Sequence, residues 1–323
     1  MLNKRNVITY AIAFVFILLL NFFLPRMMPG DPLLAIYGDE AMIAMTPQLK
    51  ASLIERFALD QSIWQQLGAY FAGLFQGELG YSYYFNAPVM SVIMGSLPWT
   101  LLLVGLSLVL FSLLGIVLGI ESGWRRGSRT DRLMLGGLMS LNGFPDFFLG
   151  MLMLLGFGAT WGLFPLSGAM TPYSGLTGLP LLWDVLKHLI LPLSALTLAH
   201  LSGTYLLTRN TMITVLKEPY ILTARAKGLL PRVIKYRHAG RNSMLPVVTQ
   251  AGYWLGRVVT GAIFVELVFA YPGVGYLTYQ ALMARDYPVI QGVFLMVAIS
   301  VLVANFLTDL SYPKLDPRVR YAY

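Results

Sequence analysis

The sequence predicts an all-α, polytopic membrane protein with six transmembrane helices, and three observations carry that prediction. Hydrophobic residues make up 57% of the 323 residues and charged residues only 12%, too little polar surface to cover a water-facing globule; the mean hydropathy is +0.66. The apolar residues are gathered into runs long enough to cross a bilayer. The basic residues lie between those runs and favour alternate sides.

The first run, Val7 to Leu24, follows Lys4 and Arg5. No small-residue cleavage site comes after it, so it is expected to remain as an anchor. Five more runs follow: Leu97 to Ile120, Leu133 to about Phe157, His188 to Leu207, Pro246 to Ala270, and Val289 to Leu310. The stretch before Trp183 has no charge, but Pro165, Pro172 and Pro180 break it. It reads as a loop on or in the membrane surface, not a seventh span. With both termini inside, seventeen Lys and Arg fall on the cytoplasmic side and five outside, with Arg257 within a span; that split obeys the positive-inside rule. Topology therefore explains the net charge of +8 without nucleic acid, which would need the bases on one soluble face. The chain divides into a tail and first span at 1–28, an outer helical segment at 29–96 and a core of five spans at 97–323, with a long inner loop at 209–243.

The outer segment, Pro29 to Ser96, carries six acidic and two basic residues. Thr46-Pro47 reads as an N-cap with proline at the first helical position, leading Leu49, Leu53, Ile54 and Phe57 at helical spacing. A second amphipathic helix is expected from Ser62 to Phe75, with Ile63, Leu67, Phe71 and Leu74 on one face. The segment is either a cap on the bundle or a dock for an external partner.

The inner loop holds its own helix signal. Pro219 suits a first turn and Gly228 the residue just past a helix end. Small residues (Ala224, Ala226), an amphipathic anchor (Tyr220) and two charges (Arg225, Lys227) lie between them. Such a short helix either enters a groove on a cytosolic partner or is a plain basic loop.

The string Tyr220-Ile-Leu-Thr-Ala-Arg-Ala-Lys-Gly228, with Arg237-His238-Ala-Gly-Arg241-Asn242 and Leu245-Pro246 after it, resembles the coupling loop of binding-protein-dependent ABC importer permeases of the oligopeptide, dipeptide and nickel branch. Further matching strings run from about Pro29 to Arg320. They include Pro29-Gly30-Asp31-Pro32, Gly77-Glu-Leu-Gly80-Tyr-Ser82, Pro165-Leu-Ser-Gly168, Glu266-Leu-Val-Phe269, Pro272-Gly273-Val-Gly275 and Asp286-Tyr-Pro288, then Asn305, Asp309 and Asp316-Pro-Arg318. The long outer segment resembles that of the first, B-type permease subunit. The resemblance implies a type I ABC importer permease fold in a bacterial inner membrane, paired with a second homologous permease as a heterodimer. It also implies two ATP-binding subunits inside and an extracytoplasmic substrate-binding protein outside. Glu218, Tyr220, Ala224, Arg225, Ala226, Lys227 and Gly228 would then couple to an ATPase. The chain departs from the family pattern at Pro219, where aspartate is common, and at Leu206 and Leu222, where arginine is.

The chain has no G-x-x-x-x-G-K-[ST] phosphate loop, so ATP and magnesium are expected on partner subunits and no cofactor on this chain. It also lacks H-E-x-x-H and G-x-S-x-G motifs, has no cysteine, and spreads His188, His200 and His238 over separate segments. No catalytic residue and no metal site are expected. Methionine is frequent, at 16 residues, and bulky unbranched packing accounts for it better than a soft-metal path. Ionisable groups inside spans tend to face a cavity or a partner. Arg257, Asp146 and His200 are candidates for the translocation path; Glu266, Asn305 and Asp309 are candidates for structural polar roles. Arg257 and Glu266, nine residues apart, fall on opposite helix faces. The cargo stays open among peptides, metal chelates and short oligosaccharides. A secondary transporter or a membrane enzyme are the rival readings, and neither inverted repeats nor an intramembrane dyad supports them.

Overall fold

A computed structural model of the chain describes residues 4–27, 32–56, 60–244, 246–247, 250, 254 and 262–315. Among them the regular structure is helical, with one isolated antiparallel bridge, Tyr81 to Pro88. The helices divide between two compact units, one holding 1–98 and 273–301, the other 99–272 and 302–323.

The first unit begins with α1 (Lys4–Arg26), α2 (Pro32–Ala44) and α3 (Pro47–Arg56). In α3 the Thr46 hydroxyl accepts from Leu49 N at 3.3 Å, as the Thr-Pro pair predicts. α4 (Ile63–Gln76) has a complete capping box, Ser62 with Gln65, and ends at Gly77 in the left-handed conformation (φ 76°), where a Cβ would be strained. The start of α5 (Val89–Trp124) packs on Gly292 of α14 (Tyr287–Leu315), whose Cβ would stand 2.6 Å from Val89 Cγ1. α1 is tied to α14 by Asn21, which donates to Gln291 O at 2.8 Å. Ser82 donates to the buried Asp286 carboxylate at 2.5 Å, and Tyr84 N donates to it at 3.0 Å. Two of the strings quoted above, 204 residues apart, thus meet in one hydrogen-bonded corner. Burial there pushes the Asp286 carboxyl above the ordinary carboxylate range.

The second unit contains most of α5, then α6 (Arg129–Leu141), α7 (Asp146–Met153, continued as a π-helix over Leu154–Thr160) and α8 (Leu179–Val215). Short elements follow: α9 (Pro219–Ala226), α10 (Pro231–Val233) running into a π-helical stretch Ile234–Gly240, α11 (Arg241–Ser243) and α12 (Ile263–Val268). α13 (Val274–Met283) belongs to the first unit. Leu103, Leu189, Leu196, Val265, Phe269 and Tyr271 belong to one buried cluster of the second unit. The loop before α8 reaches it through Gly168 N, which donates to Phe269 O at 2.9 Å.

Among the described residues two helices, α5 and α8, are long and apolar enough to cross a membrane, and a third emerges if the bent α6–α7 pair is one span. The predicted straight run from Leu133 to Phe157 is therefore corrected. Its halves meet at 95°, because Asn142-Gly-Phe-Pro145 interrupts the helix and proline cannot continue an open turn. About half of the predicted fifth run, 246–270, lies outside the described residues.

A glycine ladder sets the distance between α5 and α8. A Cβ on Gly115 would lie 2.7 Å from Thr204 Cγ2, on Gly119 2.6 Å from Thr208 Cβ and 2.8 Å from Tyr205 O, and on Gly123 2.7 Å from Met212 Cβ. The four-residue spacing puts all three on one helix face, so the two backbones touch as in small-xxx-small packing. Gly119→Ala is expected to cost about 1–3 kcal/mol of stability, read as a lower thermal midpoint in detergent. Gly105→Ala, whose Cβ would meet nothing within 4 Å, is expected to leave the midpoint unchanged or raise it.

Candidate coupling site

Helix α9 begins where Glu218 turns extended (φ −68°, ψ 143°) and Pro219 takes the first helical position. It stops at Gly228, whose φ of +70° suits glycine and whose N–H returns to Arg225 O at 2.9 Å. The predicted helix and both its boundary signals are present. Its faces are not as the sequence suggested. Ile221 and Ala224 are 0% and 5% exposed, and they pack with Ile120 of α5, Met212 of α8, Ile234 and Ala239. Ala224 thus seats α9 on its own chain and contributes nothing to an outward profile. Tyr220, expected as an amphipathic anchor, is 39% exposed, and its hydroxyl accepts from Asn242 Nδ2 at 2.6 Å. Glu218, Leu222, Arg225, Ala226, Lys227 and Gly228 are exposed, and Leu222 and Leu230 are 60% and 70% exposed.

The platform beneath α9 is held by charges that the sequence reading passed over. Glu121, near the end of α5, accepts from Lys235 Nζ and, at 2.6 Å, from the Tyr236 hydroxyl. Gly240 completes that contact, since a Cβ there would stand 2.9 Å from Lys235 O and 3.1 Å from Ile120 Cδ1. Asp131 in the first turn of α6 accepts a two-pronged pair from Arg209 of α8, Nε to Oδ1 at 2.7 Å and Nη2 to Oδ2 at 2.8 Å. Their side chains are 3% and 12% exposed. Ser122 and Gly127 N also donate to that carboxylate, and the Tyr205 hydroxyl stands 2.6 Å from Ser122 Oγ. Every lone pair of a buried acid thus has a donor to face, the condition under which a buried ion pair is tolerated. Arg209 had counted only as one of the loop's basic residues; the unexamined signal was a lone acid, Asp131, amid Arg125, Arg126, Arg129 and Arg132.

The path candidates are not gathered into one place. Asp146 Oδ1 accepts from Phe147 N at 2.8 Å at the start of α7, and His200 packs against the rings of Phe111 and Trp254, 5.5 and 4.5 Å away, which also touch each other. Arg257 lies outside the described residues. Glu266 is 1% exposed; its carboxylate accepts from Thr100 at 2.7 Å, and its backbone carbonyl accepts from Tyr271 N at 2.8 Å, at the mouth of the Pro272-Gly273 turn. Asn305 and Asp309 are carried on α14, their side chains beyond the described ones. Among the described residues no group of three or more His, Asp or Glu is placed to hold a metal ion.

Residues 112–321 match the family of binding-protein-dependent transport system inner membrane components. The chain is 35% identical over 325 residues to the dipeptide transport system permease protein DppB of Escherichia coli, with 95% of each chain covered. It is 36% identical over 307 residues to a putative peptide transport system permease protein of Brucella abortus, covering 94% of this chain and 93% of the relative. It is 33% identical over 317 residues to the di/tripeptide transport system permease protein DppB of Pseudomonas aeruginosa, covering 94% of each.

Losing one member of the buried pair should cost more than losing both. Asp131→Ala is expected to destabilise by about 3–5 kcal/mol, because it strands a buried guanidinium, and Asp131→Asn with Arg209→Met is expected to recover most of that loss. Denaturant unfolding of the purified chain reads both.

Proposed function

The chain belongs to the family of binding-protein-dependent transport system inner membrane components, and we propose that it serves as a permease subunit moving short peptides across the membrane in an ABC importer. It is a transport subunit and not an enzyme. The peptide assignment follows the printed names of the E. coli, Brucella and Pseudomonas relatives; none of those names carries nickel, and the nickel reading is set aside.

One observation carries the mechanism: α9 is seated by Ile221 and Ala224 on α5 and α8 while Leu222, Arg225, Ala226 and Lys227 stay exposed. A short helix anchored on one face and bare on the other suits a groove on a cytosolic ATPase. A push on its bare face goes directly into α5 and α8. In this reading a loaded binding protein docks outside on the 29–96 segment and the Pro272 turn. ATP with magnesium then closes two ATPase subunits, and the motion enters through α9. Hydrolysis resets the spans. A second, homologous permease completes a heterodimer, with six spans per chain and both termini inside.

Uptake of a labelled dipeptide into proteoliposomes holding the full complex should require ATP and the binding protein; uptake driven by an ion gradient alone would refute the proposal. Leu222→Glu is expected to weaken ATPase recovery with the permease by about 2 kcal/mol, some thirtyfold, with the permease's thermal midpoint unchanged. Ala224→Glu, which buries a charge in the chain's own core, is expected to lower that midpoint instead.

A further inference from the structure

Helix α4 has apolar side chains on its exposed side as well as on its half-buried side, where Leu67, Phe71 and Leu74 lie beside Gln66 and Tyr70. Its fourteen residues, Ile63 to Gln76, include no charged side chain. At 100° per residue, Gln66, Tyr70 and Gly73 share one face, and Trp64, Gly68, Ala72 and Phe75 share the opposite one. The polar face is turned inward. Gln66 Oε1 accepts from Arg26 Nε at 2.9 Å, and the Tyr70 hydroxyl accepts from Asn21 Nδ2 at 3.1 Å. The apolar face is bare, with Trp64 71% and Phe75 91% exposed, and the helix has no buried residue.

The partners of α4 fix where that bare face lies. Asn21, Phe22 and Arg26 are the last turns of α1, whose apolar stretch runs to Arg26, and the Tyr70 ring stands 5.6 Å from that of Phe22. α4 is therefore pinned to the last turns of α1, and where α1 crosses a bilayer that is the level at which it leaves the hydrocarbon, the depth that tryptophan, tyrosine and the arginine headgroup favour. Beside it Arg26, Gln66, Tyr70, Glu78 and Tyr83 line a cleft of about 420 Å³. The Arg26 guanidinium sits 3.8 Å over the Phe22 ring and has no carboxylate partner among the described residues.

We propose that α4 lies in the lipid headgroup layer at the carboxy-terminal end of α1, its Trp64–Phe75 face against acyl chains. Tryptophan and phenylalanine on the outer face are what an interfacial helix lays against the acyl boundary; the anchoring that a basic polar face gives such helices is supplied here by the bonds of Gln66 and Tyr70 to α1. The inference rests on the proposed reading of the chain as a six-span permease with α1 as its first span, and on nothing about cargo or coupling.

The chain has no cysteine, so a single introduced cysteine, labelled on the purified chain before assembly, gives one label at a known place. Spin labels at Trp64→Cys and Phe75→Cys in the assembled complex in nanodiscs are expected to collide more with oxygen than with an aqueous nickel chelate. A label at Lys50→Cys on exposed α3 should show the reverse. Nickel access at 64 and 75 equal to that at 50 would place α4 in water and overturn the proposal. Low access to both reagents would mean that a protein partner covers the face, and would overturn it equally. If a labelled variant assembles poorly, brominated-acyl lipids offer a second reading: they should quench the emission of the unmodified chain more than that of Trp64→Phe. Equal quenching would contradict a lipid contact. Transport activity enters neither measurement, so failure here leaves the importer assignment standing.

Discussion

The close approach of α5 and α8 is the constraint on which the second unit depends. Gly115, Gly119 and Gly123 leave no room for a Cβ, so the facing residues of α8 sit on bare backbone. In lipid, where apolar surface gains nothing from leaving its surroundings, such contact and the polar bonds it permits are what hold helices together. The seam brings the end of α5 within reach of Tyr205 and Arg209. Ser122 and Asp131 then link α5, the start of α6 and α8 in one buried network. The same end of α5 carries Ile120 and Glu121, which hold α9 and the Lys235–Gly240 turn. Widening the seam by a methyl group would loosen every one of these contacts.

Helix α9 is consequently part of a platform and not a tether between spans. A freely hinged loop would absorb a displacement of its outer face in its own dihedral angles. A helix wedged by Ile221 and Ala224 into the core formed with Met212 and Ile120 has no such slack, because packed interiors are nearly incompressible. In the proposed importer, this is how a chain without a phosphate loop would take work from a partner that has one. Asp286 plays a parallel part in the first unit, drawing the Tyr81–Tyr84 segment onto the start of α14.

The sequence was legible where a signal is local. Thr46-Pro47, Ser62 with Gln65, and Pro219 with Gly228 each mark a helix end through bonds made within a few residues, and each end stands within a residue of its signal. Asp131 and Arg209 are 78 residues apart and Thr100 and Glu266 are 166 apart, so no spacing rule joins them. The glycine ladder was visible as G-x-x-x-G-x-x-x-G, yet it sat in an apolar run read only for its length. Ala224 was misread because size suits a small residue equally to a partner's groove and to its own core; only the fold decides. Pro145, just before Asp146, is the local signal for the break in the third run, but the length of the apolar stretch outweighs it when the run is read by hydropathy alone.

A double-mutant cycle across the joint between α5 and the α9 platform tests the account most directly. Glu121→Gln, Lys235→Met and the double variant are compared by the peptide moved per ATP hydrolysed in proteoliposomes. If α5 carries α9 through this pair, each single change lowers that ratio and the double change lowers it no further, since the second removes an interaction already lost. Full additivity of the two losses, or a ratio untouched by either, would mean that the joint carries no force and that α9 moves independently of the platform.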